Sequence, residues 1–246
     1  MPLKYIKEYS KKIFDELKSL FESQLSNIKF ERDLVKPILM YLPFYATEES
    51  EIKYLIQLIN LDPKLVSQED RFRFLKPIFS SRTIKLEDKQ KLLDEEVKKD
   101  NNSNESVENK ISCNALLPDR KNKELLWKKI TTETTSDSLV NMQTIMGSFA
   151  PVDQYDLVED FVKEKYFEVI PELGKNNEAF YIKSFVECCG PTYFANEETI
   201  KKFEALIEKV KDMSQVKRYV EEECDFIKRK MKSEKLCEEY LKSIGK

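Results

Sequence analysis

The sequence has 246 residues, of which 41% are hydrophobic and 35% are charged. This apolar content is ample for a large folded core, so a disordered chain is not expected. The 42 basic and 45 acidic residues leave a net charge of −3, and this near balance excludes the basic excess that nucleic-acid binding requires.

The first predicted helix starts near residue 3 and carries apolar side chains three or four positions apart. This spacing predicts one apolar stripe that faces the core. The stripe consists of Ile6, Tyr9, Ile13, Leu17, Leu20, Phe21 and Leu25.

Eleven further helices follow in chain order, with ends defined to about 2 to 4 residues. They run from Glu31 to Tyr41, Glu48 to Leu61, Gln68 to Phe79, Lys85 to Lys99, Asn104 to Leu117, Asp119 to Thr131, Asp137 to Met146, Val152 to Ile170, Asn177 to Cys189, Glu197 to Val210 and Ser214 to Ile244. Ser67 and Ser103 occupy positions typical of helix N-caps. Pro43, Pro63 and Pro118 fall in the gaps between helices.

Helix-pair repeats are indicated by the spacing of alternate helix starts, which recur about every 33 to 45 residues. The sequence therefore predicts an all-α fold, a curved two-layer stack of antiparallel helix pairs of the HEAT/armadillo-like α-solenoid type. It is expected to form a single domain over residues 1–246, with an irregular helical bundle as the alternative.

Metal and thiol chemistry are not expected. The chain has no histidine, and its five cysteines form no C-x-x-C pair, so neither a zinc site nor a Cys-His nucleophile can be assembled in the usual way. Cys188 and Cys189 are predicted to be a buried helix-end pair of small hydrophobic residues.

Membrane and secretory segments are also not expected. The start, MPLKYIKEYSKKIF, lacks the apolar region of a signal peptide, and the uncharged stretch from Pro37 to Thr47 is too short to span a bilayer. A cytoplasmic protein without membrane partners is predicted.

A family resemblance begins with LLWKKI at Leu125 to Ile130 and continues through NMQTIMGSFAPVDQYDLVEDFVKEKYFEVIPEL at Asn141 to Leu173. This order of features resembles the C-terminal helical domain of aminopeptidase N-type zinc metallopeptidases. In that family a Trp-containing turn is followed by a Gly-Phe-like break and then by a Gln-led helix that ends in Tyr-Phe. The corresponding residues here are Trp127, Gly147 to Phe149, Gln154, Tyr166 and Phe167.

The resemblance extends over residues 50 to 243 and is strongest over residues 120–243. VSQEDRFRFLKPI at Val66 to Ile78 is similar to an upstream helix of the family, and SFVECCGPTYFANEETIKKFEALI at Ser184 to Ile207 resembles its proline turn and next helix. VKRYVEEECDFIKRKMKSEK at Val216 to Lys235 resembles the terminal family helix, although Lys217 stands where the family has arginine.

The resemblance implies an accessory role without catalysis. The family's His-Glu-x-x-His helix and Gly-x-Met-Glu-Asn strand are absent, so no catalytic or metal-binding residue is predicted in this chain. The expected function is to cover the active-site chamber of a zinc aminopeptidase and to gate or bind peptides. The partners would be peptides and a catalytic domain, in the same or another chain, which would hold the zinc. A free-standing helical-repeat scaffold for protein–protein interaction is the alternative.

Three residues are candidates for peptide-binding or interdomain contacts: Arg218, Arg229 and Tyr193. A guanidinium group matches a peptide carboxylate with two parallel hydrogen bonds, and Tyr193 combines a polar tip with a turn location. Both arginines also have acidic residues one helical turn away, which predicts the pairs Arg218–Glu222 and Asp225–Arg229 on a solvated helix face. The acidic run Glu221 to Glu223 is expected to lie on that solvated face.

Overall fold

The computed structural model describes residues 3–26, 32–100, 103–132 and 137–245, and every regular element in these ranges is helical. The all-α prediction is therefore confirmed for the described part of the chain. These residues group into two compact units, one over Leu3–Pro118 and one that begins at Asp119.

The first unit contains six α-helices and one short 3-10 helix. They are α1 (Leu3–Leu25), α2 (Arg32–Tyr41), the 3-10 helix (Leu42–Tyr45), α3 (Glu49–Ile59), α4 (Gln68–Ser80), α5 (Leu86–Lys99) and α6 (Asn104–Ala115). Both predicted N-caps are confirmed, since the hydroxyl of Ser67 accepts from the Asp70 amide and that of Ser103 from the Ser106 amide, each at 3.2 Å.

The buried face of α1 differs from the predicted stripe. Phe14 and Phe21 are buried, whereas Ile13, Leu20 and Leu25 are exposed, so the prediction is wrong for these three. Positions 14 and 21 lie on the side of α1 that faces the core. Positions 13 and 20 are each one residue earlier and are therefore rotated by about 100° away from that side. The predicted core residue Ile6 lies outside the described side chains.

The first unit also buries a charged network around Arg71 and Glu96. Arg71 donates to the Leu61 carbonyl at 2.7 Å and lies 3.8 Å from a Glu96 carboxylate oxygen. The same carboxylate accepts from Gln68 at 2.9 Å and from Lys99 at 2.6 Å. These bonds tie α4 to α5 and satisfy a charge that would otherwise be costly to bury.

The second unit contains seven α-helical segments, two 3-10 helices and a π-helical turn among the described residues. They are α7 (Arg120–Thr132), α8 (Leu139–Phe149), a 3-10 helix (Val152–Gln154), α9 (Tyr155–Asp160), the π-helical turn (Phe161–Lys165), α10 (Tyr166–Asn176), α11 (Ala179–Cys188), a 3-10 helix (Thr192–Phe194), α12 (Glu197–Lys209) and α13 (Ser214–Ser243). Residues 155 to 176 form one continuous helical segment, made of α9, the π-helical turn and α10, which extends past the predicted helix end at Ile170. The helix continues through Pro171, and Ile170 and Leu173 on either side of this proline are both buried in the core.

Aromatic rings form the core of the second unit. The Trp127 ring lies 5.1 to 5.8 Å from the rings of Phe149, Phe161 and Phe185. The Tyr166 ring continues this cluster at 5.6 Å from Phe185. The predicted core position of Phe167 is confirmed, since its ring is buried and packs 5.0 Å from Phe203.

Helix packing is defined within each unit, while the solenoid arrangement and the single domain over residues 1–246 stay predictions. In the second unit α11 packs against α8 and α13, and α12 packs against α13. Within the described residues, no helix combines the length and apolar character needed to cross a membrane.

Candidate functional site

A cavity of about 380 Å³ lies in the second unit, where one face of α13 meets the end of α11 and the turn that follows. Its lining consists of Glu187, Thr192, Tyr219, Glu222, Glu223 and Phe226. The four α13 residues are spaced i, i+3, i+4 and i+7, so the helix repeat places them on one side of α13. Two aromatic rings and three carboxyl groups therefore share one concave surface.

Glu223 is the most unusual of these residues, because its carboxyl group is buried without full pairing. The residue is only 8% exposed, and its Oε1 atom has no hydrogen-bond partner among the described residues. Burial, reinforced by the negative charge of Glu187, raises the pKa of Glu223 to about 7, while a hydrogen bond from the Thr192 side chain opposes the rise. This carboxyl thus changes protonation near neutral pH.

The turn that carries Thr192 is held in place by Tyr166 and Gly190. The Tyr166 hydroxyl donates to the Val186 carbonyl at 3.1 Å, which fixes the last turn of α11. A Cβ atom on Gly190 would lie 3.0 Å from that same carbonyl oxygen and 3.4 Å from the Tyr166 hydroxyl. A side chain at position 190 would therefore force its neighbours to shift by a few tenths of an ångström.

Arg218 and Arg229, predicted to contact peptides or another domain, are exposed on α13. Arg218 lies 3.5 Å from Glu222 and Arg229 lies 3.1 Å from Asp225, so both predicted ion pairs are formed. Exposed pairs of this kind contribute little to stability. Arg218 adjoins the cavity through Glu222, and its peptide-binding role stays a prediction.

Tyr193, the third candidate, is half-buried. Its ring packs 4.3 Å from the Tyr155 ring, and the Lys230 ammonium lies 5.3 Å from the ring centre. Tyr193 is not among the residues that line the cavity, although the adjacent Thr192 is. Its groove-lining role also stays a prediction.

The prediction that the acidic run Glu221 to Glu223 is solvated is wrong at one position. Glu221 and Glu222 are exposed as predicted, but Glu223 is buried. A signal in the sequence identifies it, because Glu223 lies four residues after Tyr219 and four before Ile227, both of which are buried. The apolar period of α13 thus passes through a glutamate.

The two adjacent cysteines also differ from the prediction of a buried pair. Cys189 is buried, but Cys188 is exposed, because it belongs to the last turn of α11 beside the cavity residue Glu187. Burial raises the pKa of the Cys189 thiol well above its ordinary value. The pKa of the Cys188 thiol is also raised, because its sulfur is partly shielded from water although the residue as a whole is exposed, and because Glu187 and Glu223 add negative charge. Both thiols therefore favour the less reactive protonated form. Within the described ranges, no group of three or more His, Cys, Asp or Glu residues is arranged to hold a metal ion.

Comparison with known proteins gives no match, either to a protein-family model or to a curated protein.

Proposed function

We propose that this chain is a non-catalytic helical domain that binds peptides and covers the active-site chamber of a zinc aminopeptidase. The zinc and the catalytic residues would belong to a partner domain in the same or another chain. A cytoplasmic location is part of the proposal, and it fits the five free cysteines, all of which lie in the described ranges.

One observation carries the proposal: three of the residues that resemble the aminopeptidase family lie in one aromatic cluster. Trp127, Phe149 and Tyr166 come from three helices, and each contacts the ring of Phe185 or a ring that packs on it. Such residues determine how the helices pack. The residues on which the resemblance rests therefore belong to the core of this unit, which supports the proposal of an accessory role rather than of catalysis.

The physical contribution of such a domain is to position peptides. A cavity with fixed polar groups can hold the part of a peptide that is remote from the zinc. Those contacts contribute orientation and binding free energy without taking part in bond cleavage.

The test is to combine the purified chain with the catalytic domain of an aminopeptidase of this family that has been expressed without its own helical domain. We expect the chain to raise kcat/KM for peptides and to leave that for aminoacyl anilides unchanged, because anilides do not reach a remote cavity. The chain alone should cleave neither substrate, with or without zinc.

Two results would oppose the proposal. Zinc-dependent cleavage that follows the purified chain through repeated chromatography would contradict the non-catalytic role. Equal kcat/KM values for peptides with and without the chain, together with no binding to the catalytic domain, would favour the scaffold alternative. An upstream His-Glu-x-x-His motif in the same reading frame would independently support the aminopeptidase assignment.

A further inference from the structure

One carboxyl oxygen of Glu223, a residue that lines the cavity, lacks a hydrogen-bond donor among the described residues. A buried polar atom without a partner reduces stability, and the cost is larger for a charged group than for a neutral one. The Oε1 atom of Glu223 is in this state among the described residues, and Glu223 is one of the residues that line the cavity. A donor that enters the cavity and reaches this buried atom would remove this cost.

The charges of the lining specify a cation. Glu187, Glu222 and Glu223 all contribute carboxyl groups, which would repel a phosphate or a carboxylate ligand. The aromatic rings of Tyr219 and Phe226 lie in the same lining, and ring faces attract organic cations. The described residues offer no cluster suited to a metal ion, so an organic cation is the better match.

The chain's own cations leave Glu223 available. Lys183 lies 3.7 Å from Glu187, and Arg218 lies 3.5 Å from Glu222. Both are exposed pairs at the long end of the ion-pair range, where the interaction is weak. No lysine or arginine of the described chain forms an ion pair with Glu223, whose pKa is changed by burial, Glu187 and Thr192.

Among organic cations, a guanidinium group satisfies most of these features together. It is planar, it donates two parallel hydrogen bonds to a carboxylate, and it stacks on aromatic rings. It is also more weakly hydrated than an ammonium group, which lowers the cost of entry into a partly enclosed cavity. The cavity volume of about 380 Å³ lies within the range of small-ligand sites.

We propose that the cavity lined by Glu223 binds a guanidinium group, such as that of an arginine side chain in a peptide. Glu223 is the primary acceptor, Thr192 orients its carboxyl group, and Glu187 and Glu222 add negative charge. The assignment of a peptide as the natural ligand rests on the proposed peptide-binding function, whereas the chemistry of the cavity is testable on the full chain alone.

The experiment is isothermal titration calorimetry of the full chain with N-acetyl-arginine amide at pH 8. The matched control ligand is N-acetyl-citrulline amide, which has nearly the same shape and no charge. We expect binding of the arginine compound and at least about tenfold weaker binding of the citrulline compound, since a hydrogen bond to a charged group is worth this factor. N-acetyl-lysine amide tests whether an ammonium group suffices, and binding as tight as that of the arginine compound would overturn the choice of guanidinium.

Variants then assign the binding to this cavity. Glu223→Gln should weaken binding of the arginine compound at least about tenfold, while Glu221→Gln, on the exposed side of α13, should leave it unchanged. Glu187→Gln, at an exposed position that does not endanger folding, should weaken binding by a smaller factor. Unchanged binding in both Glu223→Gln and Glu187→Gln would overturn the proposal.

The outcome is separable from that of the proposed function. Loss of guanidinium binding with intact stimulation of peptide cleavage would reject the cavity assignment and retain the accessory role. Guanidinium binding without any effect on an aminopeptidase would reject the accessory role and retain the cavity.

Discussion

Two buried carboxyl groups, Glu96 in the first unit and Glu223 in the second, differ in how they are paired. In the first unit Glu96 accepts from Gln68 and Lys99 and faces Arg71, and the buried Lys89 donates to the Phe79 and Ser81 carbonyls. In the second unit Glu223 has a hydrogen bond from Thr192 and an Oε1 atom with no partner among the described residues. The Nε atom of Arg71 also has no partner among the described residues, so incomplete pairing alone does not distinguish Glu223; its position in the lining of a cavity does.

The largest effect is expected from breaking the paired network of the first unit. Glu96→Ala leaves Arg71 buried without its counter-charge, so the free energy of unfolding should fall by about 3 to 5 kcal/mol. Urea unfolding measures this change. Glu95→Ala, at an exposed neighbouring position, is the control and should change stability little. Similar values for the two variants would show that the network does not stabilise the first unit.

Glu223 is expected to make the stability of the chain depend on pH. Its pKa is about 7 in the folded chain against an ordinary value of 4.5, so the folded state holds the proton more tightly than the unfolded state. This contribution to stability is fully present below pH 4.5 and is lost as the pH rises through 7. Relative to Glu223→Gln, the wild type should therefore lose about 1 to 3 kcal/mol of unfolding free energy between these pH values.

The comparison with Glu223→Gln isolates that carboxyl from its surroundings. The other titratable groups near it are Glu187, Cys188, Tyr166, Tyr219 and Glu222, and they are common to both proteins. Parallel stability curves for wild type and variant from pH 4 to pH 8 would contradict the assignment of a raised pKa to Glu223.

A smaller loss of stability is expected when the hydrogen bond between Tyr166 and α11, next to the cavity, is removed. Tyr166→Phe removes the donor to the Val186 carbonyl and leaves that buried oxygen with one bond fewer, so stability should fall by about 1 kcal/mol. Guanidinium binding should weaken as well, because the Thr192 turn is less firmly held. Tyr240→Phe, at an exposed position of α13, is the control for loss of a hydroxyl. A Tyr166→Phe variant with unchanged stability would show that this bond does not fix the turn.

The smallest effect is expected for Arg218→Ala. Its exposed pair with Glu222 should contribute less than about 1 kcal/mol to stability. Removal of this positive charge should strengthen guanidinium binding slightly, because Glu222 is then unopposed. A peptide-carboxylate role for Arg218 predicts instead a lower preference for peptide acids over peptide amides in a reconstituted enzyme. That ratio, measured as kcat/KM in wild type and variant, separates the two roles.

The helices were largely predictable, because apolar periodicity and helix N-caps depend on residues that are close together in the sequence. The N-caps at Ser67 and Ser103 depend only on residues one turn away, and both were predicted. The face of α1 was less predictable, since Ile13 and Phe14 are equally suited to a core and only packing against other helices selects between them.

The candidate site was less predictable, since it depends on contacts between distant segments. The pairs of Arg218 and Arg229 lie within one helix and follow from spacing. The burial of Glu223 depends on α11 and on the turn at Thr192, thirty residues or so away along the chain. In the sequence alone, Glu221 to Glu223 are three equivalent carboxylates. Only the tertiary structure shows that Glu223 is buried while Glu221 and Glu222 are exposed.

The most direct test is a carbon-13 NMR titration of the Glu223 carboxyl, assigned with Glu223→Gln, in the full chain with and without N-acetyl-arginine amide. We expect a pKa near 7 for Glu223 in the free chain, because the carboxyl is buried beside Glu187. With bound ligand we expect a clearly lower pKa, because an adjacent guanidinium favours the ionised form. A pKa near 4.5 in the free chain, unchanged by the ligand, would contradict the claim that Glu223 is an incompletely paired group that binds a cation.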